Sequence, residues 1–111
     1  MELTFQGLQE YLFEHYGERA TEQGMFMKLV EEIGEVAEVL NKRSGRKAND
    51  NEDLQTELAE ELADMIHYIV AIAAINHIDL SKTILEKDKR AAVKYHHIRD
   101  LEAFLTETGK R

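Results

Sequence analysis

Two acidic pairs hold the residues best suited to chemistry: Glu32 and Glu35 within EEIGE, and Glu61 and Asp64 within EELAD. In a helix, a three-residue spacing places two carboxylates side by side on one face. Four carboxylates converging from two helices repel one another unless a hard divalent cation sits among them. An all-oxygen ligand set suits Mg2+, with Mn2+ as a substitute, and carboxylate-held Mg2+ points to phosphate chemistry. Glu31, Glu38, Glu57 and Glu60 add to the negative field. Such charge density costs a fold stability unless something uses it. The alternative is a non-enzymatic helical module whose acidic face binds a basic partner.

Helical geometry tests whether the pairs can meet. Measured from the centre of the apolar stripe on its helix, Glu32 lies at about −100° and Glu35 at about −160°, while Glu61 and Asp64 lie at about −85° and −145°. Same-sign offsets fall on one side of two antiparallel helices packed stripe to stripe, the arrangement expected for a short connection. Glu35 and Glu61 each sit roughly 12 Å from that connection. This levels Glu35 with Glu61, and Glu32 with Asp64.

The elements that position these residues read as helices throughout. There is no Pro in the chain, and apolar residues recur at helical spacing. A first helix is expected over Leu3 to Tyr16, with Gly17 as its stop. Thr21, with Gln23 and Gly24, opens a second helix reaching Arg43, whose stripe is Phe26, Leu29, Val30, Ile33, Val36, Ala37 and Leu40. A polar loop, Ser44 to Glu52, follows. The third helix runs from Asp53 to Asn76, with Leu54, Leu58, Leu62, Met65, Ile66 and Ile69 as its stripe. Asp79 or Ser81 caps a fourth to Tyr95, and a short fifth spans Ile98 to Thr106. The end of helix three, Ile69 to Ile75, is apolar all round and must be buried on every side. The expectation is an all-α, four-helix-bundle-like core with a short extra C-terminal helix, completed by homo-oligomerisation.

Bulk properties narrow the partners. The 111 residues fit a single domain. A net charge of −8 argues against nucleic acid or an anionic membrane. The chain has no Cys, which removes disulfides and thiolate metal sites. The start, MELTFQGLQEYLF, lacks the form of a signal peptide, and the longest apolar stretch is too short to span a bilayer. A soluble, cytoplasmic homodimer or homotetramer is the expectation.

KLVEEIGEVAEVL followed by ELAEELADMIHYIVAIA resembles the MazG-like nucleotide pyrophosphohydrolases, whose hallmark is EExxE followed by ExxD. The resemblance covers roughly residues 25 to 95. It implies hydrolysis of a nucleoside triphosphate between the α and β phosphates, as in house-cleaning of unwanted (d)NTPs. It also implies that Glu32, Glu35, Glu61 and Asp64 are the Mg2+ ligands. Glu31 and Glu38 become supporting groups or a base for the attacking water. Lys87 and Tyr95 stand where the family places substrate-contacting residues, and Lys28, on the same side of its helix as Glu35, is a second phosphate-binding candidate. The sequence departs from the family at Ala91 and Ala92, where relatives often carry an Asn-Arg pair.

Smaller features have plain readings. Gly34, mid-helix and away from the acidic side, suggests close helix packing. His67 makes a DxxH with Asp64, half of a di-iron pattern, but the chain has no ExxH to complete one. His96 and His97 read as surface. Phe5, Phe13 and Tyr16 read as core or interface.

Overall fold

Each helix begins at a side chain able to cap it. In a computed structural model describing residues 1–45 and 53–110, the side chains of Thr4, Thr21, Asp53, Asp79 and Asp100 accept from the backbone N–H three residues on. Each cap satisfies a helical N–H that would otherwise lack a partner. The helices are α1 (Phe5–Tyr16), α2 (Glu22–Arg43), α3 (Leu54–Ile75), α4 (Leu80–Lys94) and α5 (Leu101–Glu107). No strand occurs among the described residues. Of the polar loop expected over Ser44 to Glu52, residues 46–52 lie outside the described residues.

The helix ends are closed in two ways. Gly17 takes φ 50° after α1, and its N–H reaches the Phe13 carbonyl at 2.7 Å. After α3 and α4 the left-handed residue is a histidine, His77 and His96, both at φ 56°. Crossed bonds surround each one: His77 to Ala74 and Ile78 to Ala73, then His96 to Val93 and His97 to Ala92. This closure normally uses Gly, because a Cβ disfavours positive φ. The second closure also corrects the expected start of the fifth helix. His97 is committed to the turn and Asp100 is the cap, so α5 begins at Leu101, not Ile98.

The helices group into two units, Met1–Ile78 and Asp79–Arg111. In the first, α3 packs on both α1 and α2. Leu12, Val39, Val70, Ala71, Ala73 and Ala74 form its core, so the apolar end of α3 is largely covered. In the second, the Asp88 carboxylate accepts from the Leu101 N–H at 2.7 Å, and Lys89 pairs with Glu102 at 2.9 Å.

The structure corrects the position of the packing stripes. On α2 the covered positions are Met25, Leu29, Glu32, Val36 and Val39. On α3 they include Leu54, Leu58, Glu61, Met65 and Tyr68. Both sets run at alternating three- and four-residue spacing, as a packed seam requires. Phe26, Val30, Ile33 and Leu40 on α2, and Leu62, Ile66 and Ile69 on α3, are instead 43–55% exposed. The sequence stripe merged two apolar edges of each helix, and among the described residues only one edge is covered. Gly34 is exposed, and a Cβ there would meet nothing within 4 Å. Close packing against the described residues is therefore not its reason.

Candidate metal centre

Glu32 and Glu61 occupy positions in the α2–α3 seam that a leucine would ordinarily fill. Glu32 falls between Leu29 and Val36, and Glu61 between Leu58 and Met65. Both are half-buried, while Asp64 is exposed. Carboxylate oxygens of Glu32, Glu61 and Asp64 all lie within 4.8 Å of one another. Glu35 completes the set by approaching Glu61 closely enough to share a hydrogen bond. Glu61 thus meets Glu35 and Glu32, and Glu32 meets Asp64, the order produced by antiparallel helices.

The electrostatics follow from that crowding. Hydrogen bonding to Glu35 and then to Glu32, desolvation, and repulsion from both carboxylates push the Glu61 carboxyl up to about 8 from an ordinary value of 4.5. Two carboxylates can hydrogen-bond only through a proton, so this crowding favours the protonated form of Glu61. Glu32 Oε2 and Glu61 Oε2 are buried with no hydrogen-bond partner among the described residues. A buried acceptor left unpaired costs stability. Hard carboxylate oxygens converging on one point, two of them buried without a partner among the described residues, fit an oxygen-preferring divalent cation.

The family assignment now has its structural setting. A family model described as the MazG nucleotide pyrophosphohydrolase domain matches residues 20–96. That span contains both acidic motifs and most of the chain. The chain belongs to the MazG family. It is 32% identical over 94 residues to dCTP pyrophosphatase 1 of Rattus norvegicus, covering 78% of this chain. The chain spans about half, 55%, of that relative's length. It is also similar to the crystal structure of iMazG from Vibrio DAT 722, with a TM-score of 0.63 and 33% identity over 84% of this chain and 98% of that one.

The remaining predicted residues of this MazG-family chain are placed unevenly. Glu31 is exposed and pairs with Lys28 at 3.5 Å, one turn before the carboxylates on α2. Glu38 is exposed further along the same helix. Lys87 and Tyr95 belong to the second unit and are exposed. The Lys94 ammonium lies 5.3 Å from the centre of the Tyr95 ring, and the His97 ring stacks on Tyr95 at 6.3 Å. His67 is not one of the clustered ligands. Its Nε2 shares a 2.7 Å hydrogen bond with the Tyr16 hydroxyl. Burial and the nearby Tyr68 and Tyr11 raise the Tyr16 phenol, which therefore stays protonated and able to donate. This pair went unnoticed in sequence because its members are 51 residues apart, and no local spacing reports such a contact.

Proposed function

We propose that this protein hydrolyses nucleoside triphosphates between the α and β phosphates, releasing the monophosphate and pyrophosphate. The observation carrying this reading is the convergence of Glu32, Glu61 and Asp64 within 4.8 Å, with two buried carboxylate oxygens unpartnered. Glu32, Glu35, Glu61 and Asp64 would hold Mg2+, with Mn2+ as a substitute. When bound, the cation would neutralise phosphate charge and favour deprotonation of water. The oxygen of the attacking water forms a bond to the α phosphorus, and the bond from that phosphorus to the bridging oxygen breaks. Pyrophosphate leaves with the electron pair. Glu31 or Glu38 accepts the water's proton. Lys28, beside Glu31, balances phosphate charge, and the family resemblance adds Lys87 and Tyr95 as substrate contacts.

The family supports the reaction class, and the name of the rat relative makes dCTP the first substrate to try. House-cleaning of unwanted or non-canonical (d)NTPs in the cytoplasm is the proposed role. Among the described residues no helix is long and apolar enough to cross a membrane. The exposed apolar face of α2 and α3 supports a homodimer or homotetramer, because a contiguous apolar surface gains by being covered. The test is a pyrophosphate-release screen over canonical and modified (d)NTPs with Mg2+. Release from at least one, lost in Glu35→Ala with helicity retained, is the expected result. No release from any of them would sink the proposal and favour the acidic interaction module.

A further inference from the structure

The second unit, Asp79–Arg111, has little of its own to hold it together. Among its described residues Ala92 alone is buried. Segments below roughly 40 residues usually need a disulfide, a metal or a partner, and this chain has no Cys. Between α4 and α5 lies a cavity of about 570 Å3, whose polar walls include His96, His97, Arg99, Asp100 and Glu107. The left-handed turn after α4 brings the two imidazoles to that one cavity. Neighbours on a helix point about 100° apart, but His96 takes φ 56° and ends the helix. A residue other than Gly costs stability at such a φ, and strain of this kind clusters at functional sites. Neither imidazole has a hydrogen bond or ion pair among the described residues, and the His97 ring has only its stack on Tyr95. Asp100 uses Oδ1 to cap α5, accepting from the Ala103 N–H at 2.9 Å. Its Oδ2 has no partner among the described residues. Arg99 and Glu107, by contrast, engage each other.

We propose that His96, His97 and Asp100 form a second metal site, taking a Zn2+-like transition-metal ion that staples the turn between α4 and α5. Imidazole nitrogens suit such ions, whereas Mg2+ prefers oxygen ligands. Two neutral imidazoles bring no charge, and the Asp100 carboxylate supplies it. The cap at Oδ1 holds that carboxylate in place, as a supporting hydrogen bond holds a metal ligand. The three ligand atoms are not gathered as tightly as those of Glu32, Glu61 and Asp64. Binding closes the gap by turning two exposed imidazoles, a motion of picoseconds to nanoseconds. Water fills the remaining coordination positions. The ion would tie the last residues of α4's closure to the first of α5, where this unit lacks a core. The site shares no residue with the acidic cluster and stands apart from the triphosphate reading.

The probe is Zn2+, titrated into the intact chain with Mg2+ in excess to occupy the acidic cluster, while the histidine ring NMR signals are followed. His96 and His97 should shift together and saturate at one ion per chain, with His15, His67 and His77 unmoved. Amide exchange in α5 should slow over the same titration. Two variants separate binding from folding. Gly adopts the left-handed φ without strain, so His96→Gly should raise the melting temperature in EDTA while weakening Zn2+ binding at least about tenfold, the lower range for damage to a metal site. Asn caps a helix as well as Asp does, so Asp100→Asn should keep the fold and weaken Zn2+ by a similar factor. Unchanged affinity in either variant overturns the proposal. So does the absence of a saturable shift, or an equal shift of all five histidines, which would mark adventitious binding only.

Discussion

The two faces of the α2–α3 pair invert the usual rule. The covered seam holds carboxylates, while the neighbouring face leaves Phe26, Val30, Ile33, Leu40, Leu62, Ile66 and Ile69 about half exposed. Burying Glu32 and Glu61 side by side costs free energy through desolvation and like-charge repulsion. Leaving seven large apolar side chains in water forgoes about 25 cal/mol for each Å2 that could be covered. Each face is unfavourable as it stands, and under the proposed function each would be relieved by a different addition: a cation for the seam, a second copy for the apolar face. A site that must bind and release its ligand can tolerate such a cost in a way that a permanent interface cannot.

The comparison breaks most sharply at Glu61. Glu61→Gln keeps the shape but removes a ligand charge, and kcat/KM for (d)NTP hydrolysis should fall by at least about 100-fold, the upper range for damage to a metal site's supporting shell. The same substitution should raise the melting temperature of metal-free protein above about pH 8, where the Glu61 carboxylate would otherwise be charged beside Glu35 and Glu32. A variant that lost activity and stability together would show that Glu61 is structural.

The apolar face has its own test. Ile33→Glu or Ile66→Glu places a charge where a second copy would sit, and should shift the protein to monomer in sedimentation while helicity persists. An oligomer unmoved by both would locate the interface elsewhere.

A third measurement concerns pH. Glu61 titrates near 4.5 when unfolded and near 8 in the fold, so between these values the folded state binds more protons. Stability of metal-free protein should therefore be full below about 4.5 on this account and fall as pH rises through 8. Mg2+ should abolish or reverse that decline, since binding to the native state alone stabilises it by mass action. Thermal melts from pH 5 to 9 with and without Mg2+ decide the matter, and a flat metal-free profile would contradict the shared proton.

The smallest effect is at Gly34, on the exposed side of α2. With open space around its Cβ position, Gly34→Ala should stabilise by about 1 kcal/mol through helix propensity. Destabilisation, read as a lower denaturant midpoint, would mean that a second copy approaches closely there and would give the predicted packing role an intermolecular form.

Much of the site was legible because it depends on local periodicity. Glu32, Glu35, Glu61 and Asp64 could be placed on one side of two helices from spacing alone, and matched distances from the connection levelled Glu35 with Glu61. Helix starts at Thr21, near Asp53 and at Asp79 or Ser81 were legible for the same reason, a cap being a short-range hydrogen bond, and the structure selects Asp79 over Ser81. The stripe centres were not, since apolar side chains on two edges of one helix look alike until a partner chooses between them. Glu32 and Glu61 were accordingly placed on the flank of the seam when they sit within it. The left-handed His77 and His96 also escaped, because a closure that usually takes Gly gives no signal when histidine fills it.

Helix type, helix order and the alignment of the acidic pairs were determined by the sequence itself, through interactions that span a turn or two. Tertiary structure alone decided which apolar edge is covered, that the Glu61 carboxyl is pushed up by Glu35 and Glu32, and that Tyr16 is tied to His67. Those outcomes depend on desolvation and on contacts between residues far apart in the chain, and neither exists until the helices pack.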